Sequence, residues 1–389
     1  MEYKLSDLFE LKMGKTPSRS NLEYWNKDNN KWISISDLSK CDKYIENTKE
    51  TISNKAVDES GIKIIPKNTV VMSFKLSIGK TAITSEDMFS NEAIMSFIDK
   101  KIVEINPEYL FYLLSNKNWD LETNKAVMGK TLNKAILSEM KIKILTIDQQ
   151  KEIVKKLNTL KLVIKYRKKQ ISLFDDLVKS RFVEMFGYPI SNDRKWNQIK
   201  LVNCTTKIGS GSTPKGGKES YISEGISLIR SLNVFDGTFE YKNLAHLTNF
   251  QAEELKNVEI YEGDVLFNIT GASVTRSCVV PQNVLPARVN QHVCIIRCNK
   301  IINNFFLNYL LLNDESKKFL NKIAESNGAT RQAITKKQLE DFLIICPPVE
   351  LQNQFAEFVK SVDKSKVAVQ KSLDELHTLY DSLMQEYFG

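Results

Sequence analysis

The chain of 389 residues contains the same pattern twice, and this internal repeat constrains its fold more than any other feature. Residues 148–187 align without a gap with residues 350–389, and the two stretches end on the similar tetrapeptides Glu-Met-Phe-Gly and Glu-Tyr-Phe-Gly. Upstream of these stretches the alignment continues with small shifts, as expected where loops differ in length around a retained framework. A single duplicated unit therefore accounts for the whole chain.

Shorter matches follow one another in the same order in both copies. The paired segments are 4–5 with 200–201, 12–17 with 207–214, 68–72 with 263–267, 91–92 with 290–291, 109–114 with 306–311, and 129–131 with 328–330. Chance does not produce so many matches in one order, so we treat the chain as copy 1 followed by copy 2.

Each copy begins with a part that mixes two kinds of secondary structure. Short runs rich in β-branched and aromatic residues, such as 61–74 and 258–270, alternate with turn residues and predict strands. An apolar segment follows at 109–114 in copy 1 and at 305–312 in copy 2, and it predicts a buried helix. This part is therefore predicted to be an α+β globular domain.

Each copy ends with a segment that predicts one long helix. The segments begin near Asp148 and Glu350, contain no proline or internal glycine, and repeat apolar residues mostly at spacings of three and four. A helix of about 38 residues spans about 57 Å, too long to lie within one small domain. Two such helices in one chain pair with each other more readily than with another molecule, because their association is intramolecular.

The seam between these helices is predicted to have coiled-coil character. Its predicted residues are Ile153, Leu157, Leu160, Ile164, Ile171, Phe174, Val178, Phe355, Val359, Val362, Leu373, Leu376, Tyr380 and Leu383. The predicted fold class is α+β, with two duplicated domains that are each followed by a long helix. The predicted boundaries are 1–146 and 188–348 for the globular domains and 147–187 and 349–389 for the helices.

The charge balance favours an anionic partner. The chain carries 55 Lys and Arg against 47 Asp and Glu, which gives a formal net charge of +8. Because the two signs are almost equally numerous, any positive surface must be local. No apolar run reaches the length of a membrane span and the N-terminus lacks a signal-peptide pattern, so we expect a cytoplasmic protein without membrane association.

Motifs that would indicate an enzyme are incomplete. Gly-Lys-Thr occurs at 14–16, 79–81 and 129–131, but each lacks the preceding glycine that a phosphate-binding loop requires. Asn106-Pro107-Glu108-Tyr109 resembles the adenine methyltransferase motif Asn-Pro-Pro-Tyr without its second proline, and it predicts a helix start, as Asn303 does in copy 2. The histidines and cysteines show no metal-ligand spacing. The chain is therefore predicted to bind no metal and to catalyse nothing by itself.

The order of globular domain, long helix, globular domain and long helix resembles the specificity subunit of type I restriction-modification systems. The motifs that carry the resemblance are Gly14-Lys15-Thr16-Pro17 with Gly211-Ser212-Thr213-Pro214, then Asn290-Gln291, and finally Gly328-Ala329-Thr330-Arg331-Gln332. Copy 1 departs from the pattern, because Glu92 replaces the glutamine and Gly-Lys-Thr-Leu-Asn-Lys stands at 129–134.

The resemblance implies that each globular domain is a target-recognition domain, which reads one half of a bipartite, gapped target in double-stranded DNA. The helices would pair antiparallel as a ruler between the half-sites. Two methyltransferase subunits, which methylate adenine at N6, would dock around this chain, and nuclease-translocase subunits would join them for cleavage. These partner subunits would hold S-adenosylmethionine, ATP and magnesium, whereas this chain would bind no cofactor.

Polar residues in loops next to the predicted strands are the candidates for DNA contact, because Lys and Arg suit phosphate and guanine whereas Asn and Gln suit adenine. The candidates are Lys15, Lys75, Lys80 and Lys130 in copy 1, and Arg230, Asn268, Arg276, Arg331 and Gln332 in copy 2. The basic run 161–169 could approach phosphate, face a partner subunit, or form a solvated helix face.

Two other functions fit parts of the sequence. The first is a non-catalytic protein scaffold with paired helices that does not read DNA. The second is a stand-alone restriction enzyme, which the missing catalytic motifs disfavour. Salt-dependent, sequence-selective DNA binding separates a specificity subunit from a scaffold, because only the specificity subunit requires it.

Overall fold

The computed structural model describes residues 1–75, 77–119, 132–214, 216–326 and 332–389, apart from the side chains at positions 28, 29 and 218. Lys130 and Arg331, two of the predicted DNA contacts, lie outside these residues. The chain divides into unit 1, which comprises Met1–Arg167 and Ser372–Gly389, and unit 2, which comprises Lys168–Lys371. Each unit holds one globular region and segments of both long helices.

The globular region of unit 1 is built around a five-stranded sheet. The strand order of this sheet is Phe9–Met13, Ile94–Asp99, Val70–Ser73, Thr81–Thr84 and Tyr44–Ile45. A three-stranded sheet places Trp25–Ile33 between Glu50–Ile52 and Phe89–Ser90, and Glu2–Lys4 pairs with Lys141–Lys143. The helices are Leu5–Leu8, Ile35–Lys40, Asn54–Ser60, Pro107–Asn116 and Lys134–Glu139, with a 3-10 turn at Leu22–Tyr24.

The globular region of unit 2 is built around a four-stranded sheet. The strand order is Thr205–Ser210, Val293–Cys298, Val265–Asn268 and Ser277–Val279. Ile226–Ile229 lies between Ala245–Leu247 and Ala287–Val289 in a second sheet, and Gln198–Lys200 pairs with Leu343–Ile345. The helices are Asn249–Glu254, Asn304–Leu312, Asp314–Ser326 and Lys336–Glu340. The 3-10 turns are Leu201–Cys204, Gly217–Ser220, Ser231–Asn233, Lys256–Val258, Gly271–Ser273 and Gln282–Val284.

The two regions share one topology. Each has a central strand that is buried on both faces, Val70–Ser73 in unit 1 and Val265–Asn268 in unit 2. This strand pairs antiparallel with a later strand, Ile94–Asp99 or Val293–Cys298, which pairs antiparallel with an earlier strand, Phe9–Met13 or Thr205–Ser210. Such strands read as continuous apolar runs because neither face meets water. The predicted α+β fold class with duplicated domains is confirmed.

An apolar helix, Pro107–Asn116 in unit 1 and Asn304–Leu312 in unit 2, packs on each of these sheets. The side-chain oxygen of Asn106 accepts hydrogen bonds from the backbone N–H groups of Glu108 at 2.8 Å and Tyr109 at 3.3 Å. Asn303 caps its helix in the same way. An asparagine at this position satisfies N–H groups that have no partner within the helix, so the predicted helix starts are confirmed.

A buried glutamine connects the start of each long helix to the start of each apolar helix. The long helices are Ile147–Phe186 and Val349–Phe388, each of 40 residues. Gln150 donates to the carbonyl oxygens of Leu145 at 2.9 Å and Glu104 at 3.1 Å, and accepts from the backbone N–H of Asn106 at 2.8 Å. Gln352 makes the equivalent bonds to Pro347, Ile301 and Asn303. Both side chains are fully buried with their main hydrogen bonds satisfied.

The long helices pair antiparallel within each unit. In unit 2 the Phe182 ring lies 5.5 Å from the Phe355 ring, and further along, Lys366 donates to Asp175 at 2.6 Å. Residue numbers therefore fall along one helix as they rise along the other, which is an antiparallel arrangement. In unit 1 the Lys161 ammonium lies 5.9 Å from the Tyr380 ring, and Leu157, earlier in the first helix, packs in the same core as Met384, later in the second.

All fourteen predicted seam residues are buried or half-buried. Several of them pack into the globular cores as well as along the helix pair: Ile153 and Leu157 lie in the core of unit 1, and Phe355 and Val359 lie in that of unit 2. The predicted set omits other buried positions, which are Val154, Phe186, Ala356, Val369 and Met384. None of the helices in the described ranges combines the length and apolar character needed to cross a membrane.

A polar cluster binds the first long helix to the globular region of unit 1. Glu108 accepts hydrogen bonds from Lys43 and Asn158, both at 2.6 Å, and from Tyr44 at 2.7 Å. Burial alone would raise the pKa of Glu108, but the hydrogen bonds from Asn158, Lys43 and Tyr44 together lower it. The carboxylate therefore stays ionised and keeps the cluster intact at neutral pH.

Lys161, the first residue of the basic run, belongs to the same region and is half-buried. Its ammonium lies over the rings of Tyr112 and Tyr380, at 5.2 and 5.9 Å, and 3.6 Å from Asp42. Burial lowers the pKa of Lys161. Lys161 therefore packs against the globular region of unit 1 and is less accessible to an anion than the exposed Lys165, Lys168 and Lys169 of the same run.

The aromatic cluster around Phe355 should dominate the stability of unit 2. Phe355 is 0% exposed and contacts Phe182, Phe186 and Tyr309 with ring centroids 5.5 to 5.6 Å apart. We expect Phe355→Ala to destabilise the fold by about 3–5 kcal/mol, because it removes buried area and leaves a cavity. Urea unfolding followed by circular dichroism measures this loss.

Leu173→Ala is the matched control, because Leu173 lies on the first long helix and is 54% exposed. It should change the free energy of unfolding by no more than about 0.5 kcal/mol. Equal losses in the two variants would show that the Phe355 cluster does not hold the helix pair.

Candidate nucleic-acid interface

Two loops that are far apart in the sequence meet in copy 1. The glycine–proline loop, Gly14-Lys15-Thr16-Pro17, follows the strand Phe9–Met13, and the asparagine loop, Asn91-Glu92, precedes the strand Ile94–Asp99. The backbone N–H of Gly14 donates to Ile94 at 3.2 Å, and that of Lys15 donates to Ser90 at 2.8 Å. The Thr16 hydroxyl donates to the Glu92 carboxylate. The two loops thus form one surface.

The same pair of loops meets in copy 2. The backbone N–H of Gly211 donates to Asn290 at 3.1 Å, and the Thr213 hydroxyl donates to the side-chain oxygen of Gln291. Gln291 therefore takes the place that Glu92 has in copy 1. Both side chains are exposed, and each is held by the threonine of its glycine–proline loop.

The asparagine of each loop determines the backbone conformation there. Asn91 accepts from the backbone N–H of Ala93, and Asn290 accepts from that of His292, both at 3.0 Å. The backbone N–H groups of the same two asparagines donate to Ile33 and Ile229, both at 3.1 Å. Identical bonds in the two copies imply that the loops present their next residue, Glu92 or Gln291, in the same way.

A glycine is required where the loops approach each other. A Cβ atom on Gly14 would lie 2.2 Å from the carbonyl oxygen of Ser90, and one on Gly211 would lie 1.7 Å from that of Val289. Both distances are far inside van der Waals contact. The Gly-x-Thr-Pro pattern therefore encodes a close backbone contact, with the buried proline behind it.

Basic side chains surround the loop pair in copy 1. The hydrogen bond from Thr16 lowers the pKa of Glu92, and the positive charges of Lys75 and Arg19 act in the same direction. Arg19 itself stacks over Trp25 at 3.6 Å and makes two bonds to Glu50, at 2.6 and 3.0 Å. Lys75 is exposed and lies 5.5 Å from the Phe74 ring, which leaves its ammonium accessible to an anion.

A chain of polar side chains extends from the loop pair in copy 2. His292 lies between Gln291, whose side-chain nitrogen is 3.3 Å from His292 Nε2, and Thr270, whose hydroxyl is 2.6 Å from His292 Nδ1. Thr270, His292 and Arg276 line a surface cavity of about 450 Å³. Arg276 stacks on Phe235 at 4.6 Å, so the cavity combines a fixed cation with hydrogen-bonding groups.

The predicted contacts fall into distinct environments. Lys15, Lys75, Lys80 and Gln332 are exposed, and Arg276 is half-buried beside the cavity. Gln332 lies close to the cavity, because its carbonyl oxygen accepts from Gly271 at 2.9 Å. Arg230 is half-buried, donates to the carbonyl oxygen of Asn243 and lies over Tyr221. Arg230 and Arg276 are therefore partly engaged in contacts within the protein, whereas the three lysines are exposed.

The predicted DNA contact at Asn268 is wrong, because this residue is buried. Its side chain is 0% exposed, and its amide donates to the carbonyl oxygens of Ser231 at 2.9 Å and Val234 at 3.4 Å. It ends the central strand Val265–Asn268, and its side chain points into the domain. Asn268 is thus a structural residue and has no surface with which to reach DNA.

The candidate DNA contacts chosen from the sequence did not include several residues in or next to the loop pairs, which are Thr16, Arg19 and Glu92 in copy 1, and Thr213, Thr270, Gln291 and His292 in copy 2. The signal was present, because the alignment had already matched the glycine–proline loops and the asparagine loops. Their proximity was not visible, since the two loops are separated by more than seventy residues in each copy.

The described residues include no group of three or more His, Cys, Asp and Glu side chains that could hold a metal ion. His292 and Cys294 do not form a ligand pair. The ring nitrogens of His292 are bonded to Thr270 and Gln291, and burial raises the pKa of Cys294 to about 12. The Cys294 side chain is buried and packs in the core of unit 2.

Two α+β domains, each followed by a long helix and each presenting a polar loop pair, define a duplicated domain–helix protein. The family described as the type I restriction modification DNA specificity domain matches residues 1–173 and 212–376. The chain belongs to this family. The resemblance found in the sequence is confirmed, and membership favours the specificity-subunit prediction over a scaffold.

Relatives and solved structures agree with this assignment. The specificity subunit of the type I restriction enzyme MjaIX from Methanocaldococcus jannaschii is 24% identical, and the match covers 98% of this chain and 90% of that protein. The EcoBI specificity subunit from Escherichia coli is 21% identical, with 78% of this chain and 69% of that protein covered.

Two solved structures share the fold. The specificity subunit of a type I restriction-modification system from M. genitalium has a TM-score of 0.54 at 14% identity, with 100% of this chain and 96% of that chain covered. A chain from a structural study of assembly and conformational transition in the type I system has a TM-score of 0.64 at 17% identity, with 100% and 97% covered.

The glycine contact between the loops can be tested by adding one methyl group. We expect Gly211→Ala to destabilise the protein by about 1–3 kcal/mol, because the new Cβ overlaps a backbone oxygen that can move only with its strand. Thermal unfolding measures the loss. Gly209→Ala is the control, since a Cβ there meets nothing within 4 Å. A loss as large in Gly209→Ala would mean that close approach of the loops is not the reason for Gly211.

Proposed function

We propose that this chain is the DNA specificity subunit of a type I restriction-modification complex, in which each copy reads one half of a bipartite, gapped DNA target. The observation that carries the proposal is the loop pair, which recurs at the same place in both copies with an exposed polar side chain held by a threonine. A duplicated reader suits a target with two half-sites. The domain boundaries remain those proposed from the sequence, 1–146 and 188–348.

The DNA contacts are proposed to lie around the two loop pairs and the cavity beside copy 2. Lysine and arginine side chains would bind phosphates and give a salt-dependent affinity, while polar side chains at base edges would supply sequence selectivity. The proposed contacts are Lys15, Lys75, Lys80, Lys130, Arg230, Arg276, Arg331 and Gln332, together with Glu92, Gln291 and His292.

The chemistry is proposed to reside on other subunits. Two methyltransferase subunits would use S-adenosylmethionine to methylate adenine at N6, after the base leaves the duplex. Nuclease-translocase subunits would use ATP and magnesium. This chain would supply recognition of the DNA sequence and no catalytic group. A chain that reads cellular DNA with such partners would work in the cytoplasm.

The long helices are proposed to set the number of unread base pairs between the half-sites. Each helix has 40 residues and is therefore about 60 Å long. Because a turn of B-DNA occupies about 34–36 Å, helices of this length suit a gap of about one to one and a half turns. The antiparallel contacts within each unit support a paired, stiff element rather than two independent helices.

The specificity role predicts a methylation pattern that depends on this chain. Single-molecule mapping of N6-methyladenine in cells that carry the partner methyltransferase gene should show a bipartite, gapped motif with this chain and none without it. Unchanged methylation, together with purified complex that binds all duplex sequences equally, would contradict the proposal and favour the scaffold alternative.

The helix proposal predicts that length controls the gap. Four residues inserted at matching positions of both helices, within 155–179 and 357–381, lengthen the pair by about 6 Å. That is close to two base pairs at about 3.4 Å each. The mapped motif should keep both half-sites and gain one or two unread base pairs.

The control for helix length replaces the exposed Lys168 and Lys169 by alanine, which leaves the helix at its natural length. Its motif should keep the wild-type gap. The helices do not act as a ruler if the insertion variant methylates the original motif with the original gap.

A further inference from the structure

Glu92 and Gln291 occupy equivalent positions but differ in chemistry. Each follows the asparagine of its loop, each is exposed, and each accepts a hydrogen bond from the threonine of the glycine–proline loop. The threonine and asparagine hydrogen bonds around the two side chains are the same in both copies, but the exposed side chain is a carboxylate in copy 1 and an amide in copy 2. A difference confined to the presented group is what two readers of different half-sites require.

The bonds to Gln291 leave a specific set of atoms free. Its oxygen accepts from the Thr213 hydroxyl, and its nitrogen donates to His292 Nε2 at 3.3 Å. A primary amide has two N–H groups and two carbonyl lone pairs. One N–H and one lone pair therefore remain, in a plane that Thr213 and His292 hold fixed.

Glu92 presents a different set of atoms. Ionised carboxylate oxygens only accept hydrogen bonds, and the bond from Thr16 uses one of their four lone-pair sites. Within the described part of the chain, no ion pair within 4 Å engages this carboxylate. The pKa of Glu92 is lowered by the Thr16 bond and by the charges of Lys75 and Arg19, so Glu92 stays an acceptor at neutral pH.

We propose that Gln291 reads an adenine in one half-site and that Glu92 reads a cytosine in the other. In the major groove adenine offers an N6 donor beside an N7 acceptor, which matches the free oxygen and N–H of a glutamine amide. Cytosine offers its N4 donor, which matches a carboxylate, whereas the acceptors of guanine and the O4 of thymine repel it. The inference rests on the proposed function, because it requires that each copy reads one half-site.

The nearby basic groups fit this assignment. A carboxylate that approaches DNA must be offset by cations, since the phosphates repel it. Lys75 and Arg19 stand close enough to Glu92 to lower its pKa, and Lys15 belongs to the same loop pair. In copy 2, where the reading group is neutral, Arg276 lies across the cavity that His292 lines. In this arrangement the basic side chains would bind phosphates of the DNA backbone, while Glu92 or Gln291 would contact a base.

Thr16 and Thr213 act as positioning residues in this arrangement. Each contacts the reading side chain and not the base. Loss of the hydroxyl in Thr213→Val should reduce the discrimination at the adenine position, whereas the preferred base should remain adenine. A merely structural role for Thr213 would lower overall binding equally for all sequences.

The test exchanges the two reading groups by the substitutions Glu92→Gln and Gln291→Glu. Both positions are exposed, so folding should be unaffected. Methylation is mapped in cells that carry the methyltransferase gene with each variant, and the purified complexes compete for duplexes that differ at single positions. Each variant is the control for the other, because its unmodified copy should still read the wild-type half-site.

For Glu92→Gln we expect one cytosine of the first half-site to change to adenine, or to tolerate it, with the second half-site unchanged. Gln291→Glu should do the reverse. The preference at the affected position should change by about 5- to 150-fold, the range for loss of one good base contact.

The inference fails if both variants keep the wild-type motif. In that case Glu92→Gln, which removes a negative charge, should strengthen binding to every sequence and steepen its salt dependence, and Glu92 would then face phosphate. Failure of the proposed function is a different result, since the wild-type chain itself would then direct no gapped motif.

Discussion

The rest of the fold depends on how each long helix leaves its globular region, and a buried glutamine determines this. Gln150 and Gln352 bond on one side to the loop before the apolar helix and on the other to the residue two positions before the long helix. Their amide groups satisfy buried backbone atoms that would otherwise cost free energy. The direction of the helix is thereby tied to the sheet that the apolar helix covers. An apolar residue of similar size would fill the space but would leave those backbone groups unpaired.

The duplication separates what is shared from what differs. The glutamine anchor, the asparagine caps at 106 and 303, and the bonds of Asn91 and Asn290 are the same in both copies. The polar residues around them diverge. Glu108 of copy 1 corresponds to Phe305, so the ion-paired cluster that docks the first long helix has an aromatic contact in its place in copy 2. A common framework thus tolerates two different solutions at the same interface, as it does at Glu92 and Gln291.

Much of the fold could be predicted because it is periodic. Apolar spacing over forty residues predicts the long helices, and asparagine before an apolar run predicts the helix starts. The site was less accessible, since contacts such as Thr16 with Glu92 join loops that only the folded sheet brings together. Asn268 shows the opposite error: a polar side chain next to a strand suggests a surface, but its strand is buried on both faces. The expectation of a solvated helix face is likewise not met at Lys161, because three aromatic rings lie close to its ammonium.

The net charge of +8 is a poor guide to where the chain would meet an anion. Arg297 is bonded to Asp264, Arg288 to Glu259 and Lys43 to Glu108, so these partly or fully buried cations are engaged within the protein. Burying an ion pair costs desolvation free energy, which is offset by the attraction between the two charges. A cation paired in this way is poorly available to a DNA phosphate. Exposed cations remain in several parts of the chain, among them Lys75 near the loop pair of copy 1 and Lys168 and Lys169 on the first long helix. Net charge alone therefore does not identify the surface that an anion would contact, because it counts paired and exposed cations alike.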